Sequence, residues 1–167
     1  QRYKCADSLV DYCSGDLIDA FRTRLAYLQM TDDMHPDTYL SLVANKQIGI
    51  TGFKLRLKKF FGHLDRTYLG PKWMKKSFDE RTDGIGFIEK VDSHIHSHFA
   101  VRSPANAYFW NMEMNTEEIW NKICPSGSYD VQMITTIWGL TGYNTKEQKK
   151  RDYEWHDQVV YVRDFAT

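Results

Sequence analysis

The stretch that decides the fold is Gly84-Ile-Gly-Phe-Ile-Glu-Lys-Val-Asp-Ser-His-Ile-His-Ser-His-Phe-Ala-Val101. Its β-branched and aromatic residues predict one strand over residues 84–90 and a second over 94–101, with a turn at 91–93. Two strands joined by so short a turn pair in antiparallel fashion, and helices packed on the sheet bury its apolar face. The stretch therefore predicts an α+β fold.

The flanking sequence supplies the remaining elements of that fold. Helical spacing of apolar residues predicts helices over 14–29, from Thr51 onward, over 116–123 with Thr116 as N-cap, and from 136 to about 150. Strand formers cluster at 38–44, 129–136 and 159–162. We therefore expect a central antiparallel β-sheet of about five strands with flanking helices, in a single domain spanning residues 1–167.

Composition excludes several classes of protein. The chain has 167 residues, of which 42% are hydrophobic and 14% aromatic, so it is neither disordered nor collagenous. Its three cysteines show no CxxC spacing, which favours reduced thiols. No apolar run reaches the ~18–20 residues of a membrane span and no signal peptide is visible, so we expect an intracellular protein with no membrane partner. The first residue is Gln1 rather than Met, which is consistent with a piece of a longer protein.

Charge is divided unevenly along the chain, although 22 basic residues balance 22 acidic ones. Residues 7–37 hold seven Asp against Arg22 and Arg24, a local net charge of −5. Residues 53–76 hold eight Lys and Arg against Asp65, a local net charge of +7. Such a basic run is either a solvated helix face or a surface that contacts phosphates.

Three histidines alternate along the second strand of the deciding stretch. Side chains two residues apart share one face of a strand, so His94, His96 and His98 are predicted to project together, with Glu89 on the preceding strand. Two imidazoles and a carboxylate make an incomplete metal shell with positions left for substrate oxygens, and a phosphodiester suits such positions. The expected cofactor is one divalent ion, Mg²⁺ or Mn²⁺, and imidazoles suit Mn²⁺ somewhat better.

The run Ile95-His-Ser-His-Phe-Ala-Val101 resembles the hydrophobic-His-x-His-hydrophobic motif of the HUH endonucleases, in particular the rolling-circle replication initiators. Downstream, Tyr143-Asn-Thr-Lys146 is similar to the Tyr-x-x-Lys motif of that family. The resemblance covers roughly residues 39–147. It implies an RRM-like palm, metal ligands Glu89, His96 and His98, and catalytic Tyr143 and Lys146. The pair His94 and His96 remains an alternative ligand set.

The resemblance also implies a reaction and its partners. Tyr143 would attack a phosphate of single-stranded DNA, release a 3′-hydroxyl and hold the strand as a 5′-phosphotyrosine that a second 3′-hydroxyl can reverse. A phenol is a poor nucleophile at neutral pH, and the cation of Lys146 one helical turn away favours its phenolate. Expected partners are single-stranded DNA or an origin hairpin, with a helicase in cis or in trans as a further candidate. Tyr153 is expected to be structural.

Two rival functions fit parts of the same sequence. The run His94-Ile-His-Ser-His98 also matches the pattern of the histidine-triad nucleotide hydrolases, in which His96 would attack without a metal. Alternatively, the chain is a non-catalytic nucleic-acid-binding module that uses the basic segment 53–76 and its aromatic residues. In that case Phe60, Phe61, Tyr68 and Trp73 would stack on bases, although both phenylalanines lie on the apolar stripe of the predicted helix.

Overall fold

The computed structural model describes residues 15–135 and 154–166. The first two helices and the first three strands are α1 (Gly15–Asp33), β1 (Thr38–Val43), α2 (Ile50–Leu69), β2 (Asp83–Glu89) and β3 (His96–Arg102). The rest are α3 (Phe109–Ile123), β4 (Ser128–Met133), α4 (Trp155–Gln158) and β5 (Val159–Tyr161), with short 3₁₀ helices at Trp73–Lys75 and Val162–Ala166. None of the helices in these two ranges is long and apolar enough to cross a membrane.

The five strands form one antiparallel sheet in the order β4-β1-β3-β2-β5, and helices flank it. The expected α+β architecture with a five-stranded antiparallel sheet is therefore confirmed. The pair β2–β3 at its centre comes from the stretch of sequence that predicted it, with Glu89 opposite His96 and Phe87 opposite His98.

One face of the sheet is apolar and packs on α2 and α3. Every second residue of the central strands points to this face, because successive side chains of a strand alternate. Trp120 of α3 is fully buried there, and its indole N–H donates to the carbonyl of Val43 over 3.1 Å. The predicted stripe of α2 is buried as expected, including Phe60 and Phe61, and Phe61 meets Phe99 edge-to-face at 4.9 Å.

The opposite face carries the polar residues of the same strands. On it, α1 covers the β2–β5 side of the sheet, where Tyr27 packs edge-on against Phe87 at 6.1 Å and a small apolar cluster forms with Ile85 and Val159. On the β4 side, Ser128, Asp130 and Gln132 are exposed. We call this side of the sheet the polar face.

The predicted start of one helix was wrong. Helix α3 begins at Phe109 rather than Thr116, because Asn111 accepts a hydrogen bond from the backbone N–H of Tyr108 and closes the first turn there. Thr116 is not a cap: it is fully buried in the middle of the helix, in register with Met112 and Ile119.

Smaller differences concern the other ends. Helix α1 runs four residues beyond the expected end at 29, and α2 starts at Ile50 with Gly49 as its N-cap in place of Thr51. The strand expected over 94–101 starts at His96, and β4 ends at Met133. The helix expected over 136–150 lies outside the described residues, as do Cys5 and Cys13, whereas Cys124 is a buried free thiol.

Candidate metal centre

Glu89, His96 and His98 meet on the polar face at the end of β2 and the start of β3. Residues directly opposite each other in an antiparallel pair share a face, so the pairing of Glu89 with His96 aligns the carboxylate with the imidazole. His98 lies two residues further along and points the same way. One ligand atom from each residue lies within 4.8 Å of the others. The predicted ligand set is thus brought together by strand register.

The carboxylate of Glu89 stands between the two imidazoles. Its Oε2 is 3.5 Å from Nε2 of His96 and 3.8 Å from Nε2 of His98. Glu89 is only 6% exposed, and its other oxygen, Oε1, is buried with no hydrogen-bond partner among the residues that the structure describes. An unpartnered buried carboxylate oxygen costs free energy unless a cation or a donor satisfies it.

Each imidazole is held through its other ring nitrogen. Nδ1 of His96 is 2.7 Å from the carbonyl oxygen of His94, and a carbonyl only accepts, so Nδ1 carries the proton. The neutral ring then presents the lone pair of Nε2 toward Glu89. Nδ1 of His98 is 2.6 Å from the hydroxyl of Tyr39, and the rings of these two residues stack at 5.8 Å. Such partners fix the ring orientation of metal-ligating histidines.

Opposing effects act on the pKa of His96. Burial lowers this pKa, but the contact with Glu89 and the hydrogen bond to the carbonyl of His94 outweigh burial, so the pKa is raised above its ordinary value of 6.5. The same carboxylate that favours a proton on the ring also favours a metal ion in its place.

The donor set fits a divalent cation. Two imidazole nitrogens and a carboxylate oxygen are ligands that Mn²⁺ accepts readily, and the set leaves coordination positions for other oxygens. The side chains of His96 and His98 are each 13% exposed, so the centre is reachable from solvent. We conclude that Glu89, His96 and His98 are able to hold one ion.

The structure separates His94 from the other two histidines. The alternation predicted a row of three histidines on one strand. His94 precedes β3 and is exposed, so it does not belong to that row. Its contribution to the centre is its backbone carbonyl, which orients His96. Of the two ligand pairs left open by the sequence, the structure brings His96 and His98 to Glu89.

Sequence reasoning missed Tyr39 as a member of the site. Tyr39 lies on β1, opposite Ala100 of β3 and therefore on the polar face. The strand itself was predicted, but the pairing that sets Tyr39 beside His98 joins residues 59 positions apart. Tyr143, Lys146 and Tyr153 lie outside the described residues.

Comparison with protein-family models, with curated proteins and with solved structures finds no match for this chain. The function of the protein is therefore inferred from the residues of this chain alone.

Proposed function

We propose that the protein is a metal-dependent endonuclease that nicks and joins single-stranded DNA, with Tyr143 as the nucleophile. The observation that carries this proposal is the convergence of Glu89, His96 and His98 on one face of the sheet, with Oε2 of the buried carboxylate between two oriented imidazoles. This is the ligand set that the resemblance to HUH endonucleases implies, and the antiparallel sheet that carries it is consistent with that resemblance.

Glu89, His96 and His98 would hold Mg²⁺ or Mn²⁺ in this function. A divalent ion so held would polarise a phosphoryl oxygen and neutralise charge that develops on it during displacement. The chain's own task is to keep the donors in place. The carbonyl of His94 and the hydroxyl of Tyr39 do this for the two imidazoles.

Tyr143 would carry out the covalent step. Its phenolate oxygen forms a bond to phosphorus, the bond to the 3′-oxygen breaks, and that oxygen takes up a proton and leaves as a 3′-hydroxyl. The downstream strand stays attached as a 5′-phosphotyrosine, which another 3′-hydroxyl can attack to rejoin DNA without ATP. Lys146 would favour the phenolate by its positive charge, since an ordinary phenol has a pKa of about 10.

Chain connectivity supports a tyrosine from this segment. The strands that precede and follow it in the chain are β4 and β5, which are the opposite edges of the sheet. The two metal-ligand strands, β2 and β3, lie between those edges. The connection from β4 to β5, to which Tyr143 belongs in the sequence, therefore joins the two edges on either side of the strands that carry Glu89, His96 and His98.

The test is a covalent-adduct assay with Mn²⁺ and a pool of random single-stranded oligonucleotides labelled at the 3′ end, because the downstream fragment is the one retained. We expect a labelled protein band that survives denaturant. Tyr143→Phe and His96→Ala should abolish this band, EDTA should do the same, and the matched variant Tyr153→Phe should retain it.

Other outcomes would contradict the proposal in distinguishable ways. Adduct formation by Tyr143→Phe at the wild-type level would remove Tyr143 from its role. Cleavage without any adduct, lost only in His96→Ala, would point to histidine chemistry on nucleotides. Binding without cleavage in Mg²⁺ and in Mn²⁺ would leave a non-catalytic binding module.

A further inference from the structure

Strand β4 lies at one edge of the sheet, and its outer edge is open. Just past its end, Ile134 donates its backbone N–H to the carbonyl of Asp37 over 2.9 Å, in register with the β4–β1 pairing. Backbone groups of successive residues point to opposite sides of a strand, so the even-numbered residues of β4 bond to β1 as well. The outward N–H and C=O groups, with which no described residue pairs, belong to Tyr129, Val131 and Met133.

The two edges of the sheet differ in how far they are protected. Strand β5 is only three residues long and runs directly into the 3₁₀ helix Val162–Ala166. Strand β4 has six residues, contains no proline, glycine or lysine, and pairs with β1 without a bulge. Its last residue, Met133, is apolar and 56% exposed. Short length, proline, lysine and bulges are the devices that keep edge strands from pairing, so β4 is the edge that is open to another strand.

The side chains of β4 complement a second copy of β4. Outward groups must meet outward groups in an antiparallel pair, which restricts the register to odd-numbered residues opposite odd-numbered ones. With Val131 opposite Val131 on a two-fold axis, Tyr129 faces Met133 of the second copy, and a thioether against an aromatic ring is a favourable contact. The same register sets Asp130 opposite Gln132 of the second copy.

The pair of Asp130 and Gln132 favours this register over its neighbours. Within one chain, Nε2 of Gln132 already donates to Oδ2 of Asp130 over 2.7 Å. An amide carries a second N–H, which is able to reach the carboxylate opposite. A register centred on Asp130 would oppose two carboxylates, which is unfavourable. One centred on Gln132 would set Tyr129 opposite residue 135, which lies beyond β4.

We propose that two copies of the chain pair through β4 into a two-fold symmetric dimer with one continuous ten-stranded sheet. Residues directly opposite each other share a face, so both polar faces, each with its candidate metal centre, lie on one side of this sheet. Both helical layers lie on the other side. Every contact across the axis occurs twice. This inference does not rest on the proposed function.

The experiment is analytical ultracentrifugation of the full chain over a concentration series, in EDTA and a reductant that prevents thiol cross-links. We expect a reversible rise from 19.7 kDa to twice that mass. Gln132→Lys sets an ammonium opposite Asp130 and should tighten the dimer about fivefold, whereas Gln132→Asp opposes two carboxylates and should weaken it about fivefold. The two variants change the same exposed side chain, so the sign of the effect tests the register.

Gln29 on α1 provides matched controls. It is exposed, lies on the helix that covers the β2–β5 side of the sheet, and likewise donates to an aspartate of its own helix, Asp33, over 3.0 Å. Gln29→Lys and Gln29→Asp should leave the dimer within about twofold of wild type, because surface charges far from the axis are screened. Met133→Pro removes one outward N–H, which an edge strand tolerates, and should abolish the dimer while the circular dichroism stays unchanged.

Three results would overturn this inference. The first is a mass of 19.7 kDa throughout the series. The second is a shift in the same direction by both Gln132 variants, and the third is an equal shift by the matching Gln29 variants. The experiment contains neither metal nor DNA, so its failure leaves the proposed nuclease function untouched. Failure of the adduct assay likewise leaves the dimer untouched.

Discussion

Tyr39 makes the contact that decides how His98 presents its nitrogens. The hydroxyl oxygen of Tyr39 is 2.6 Å from Nδ1 of His98, and either atom is able to donate the proton between them. When Nδ1 of His98 donates to the hydroxyl oxygen, Nε2 keeps its lone pair and faces Glu89. A ligand role for His98 therefore requires Tyr39 to act as the acceptor.

Removal of that hydroxyl should weaken metal binding without removing a ligand. We expect Tyr39→Phe to lower the affinity for Mn²⁺ by about 10- to 100-fold, the range found when the partner of a ligating histidine is lost. Isothermal titration calorimetry measures this affinity. The control is Tyr161→Phe, which removes a hydroxyl on the same face next to Met30 and should bind Mn²⁺ as wild type does. Unchanged affinity in Tyr39→Phe would contradict the assigned role.

Other residues of the centre were accessible from sequence. The alternation of the histidines left two ligand pairs open, and the resemblance to HUH endonucleases implied Glu89, His96 and His98, which the structure brings together. His94 fits the same alternation but precedes the strand, because the turn after β2 continues through Ser93 and His94. Lys90 starts this turn with a left-handed φ of 50°, a conformation that residue type alone does not predict for lysine.

At the scale of elements, the pair β2–β3 is held in register by close packing. Gly86 lies opposite Phe99, and a Cβ atom added at Gly86 would come within 2.1 Å of the phenyl ring. The missing side chain makes room for Phe99, which is fully buried against Phe61 of α2. Through Phe99, strand β2, which carries Glu89, is packed against helix α2.

We expect Gly86→Ala to lower the free energy of unfolding by about 1–3 kcal/mol, the range found for overpacked cores. Urea denaturation followed by circular dichroism gives the free energy of unfolding. The control Gly52→Ala lies on α2, where the nearest atom to an added Cβ is 3.6 Å away, and it should be neutral or stabilising by up to about 1 kcal/mol. A Gly86→Ala variant as stable as wild type would show that the ring of Phe99 moves freely.

The wrongly predicted start of helix α3 has its cause at this scale. The sequence offers Thr116 as an N-cap, but Met112, Thr116 and Ile119 share the buried face of one continuous helix. Helix α3 therefore extends seven residues further toward its N-terminus than expected, from 116 back to Phe109. Burial against the sheet outweighs a local capping preference, which contributes only about 1 kcal/mol.

At the scale of the whole molecule, the metal centre couples global stability to pH. The pKa of His96 is raised in the folded state, so without metal this residue adds stability that is present below pH 6.5 and lost as pH rises through the raised value. A bound ion needs the neutral ring, so protons compete with it and its stabilising effect grows as pH rises.

We therefore expect opposite pH trends with and without metal. In EDTA, the free energy of unfolding should decrease between pH 6.5 and 8 relative to His96→Gln. With Mn²⁺ at about 100 times its Kd, wild type should gain about 2.7 kcal/mol, and this gain should shrink below pH 6.5. Denaturation at pH 6, 7 and 8 measures both trends, with His63→Gln on the exposed face of α2 as the control. A metal-induced gain that does not vary with pH would contradict the assignment of His96 as a ligand.

The sequence by itself determined the elements and their chemistry: the central strand pair, the buried stripe of α2, the α+β class and the residues Glu89, His96 and His98. These are local properties, because side-chain alternation and helical spacing repeat within a few residues. Tertiary structure alone decided the strand order, the contact of Tyr39 with His98 and the open outer edge of β4. These depend on pairing between residues far apart in the chain, for which hydrophobic packing of the whole sheet sets the register.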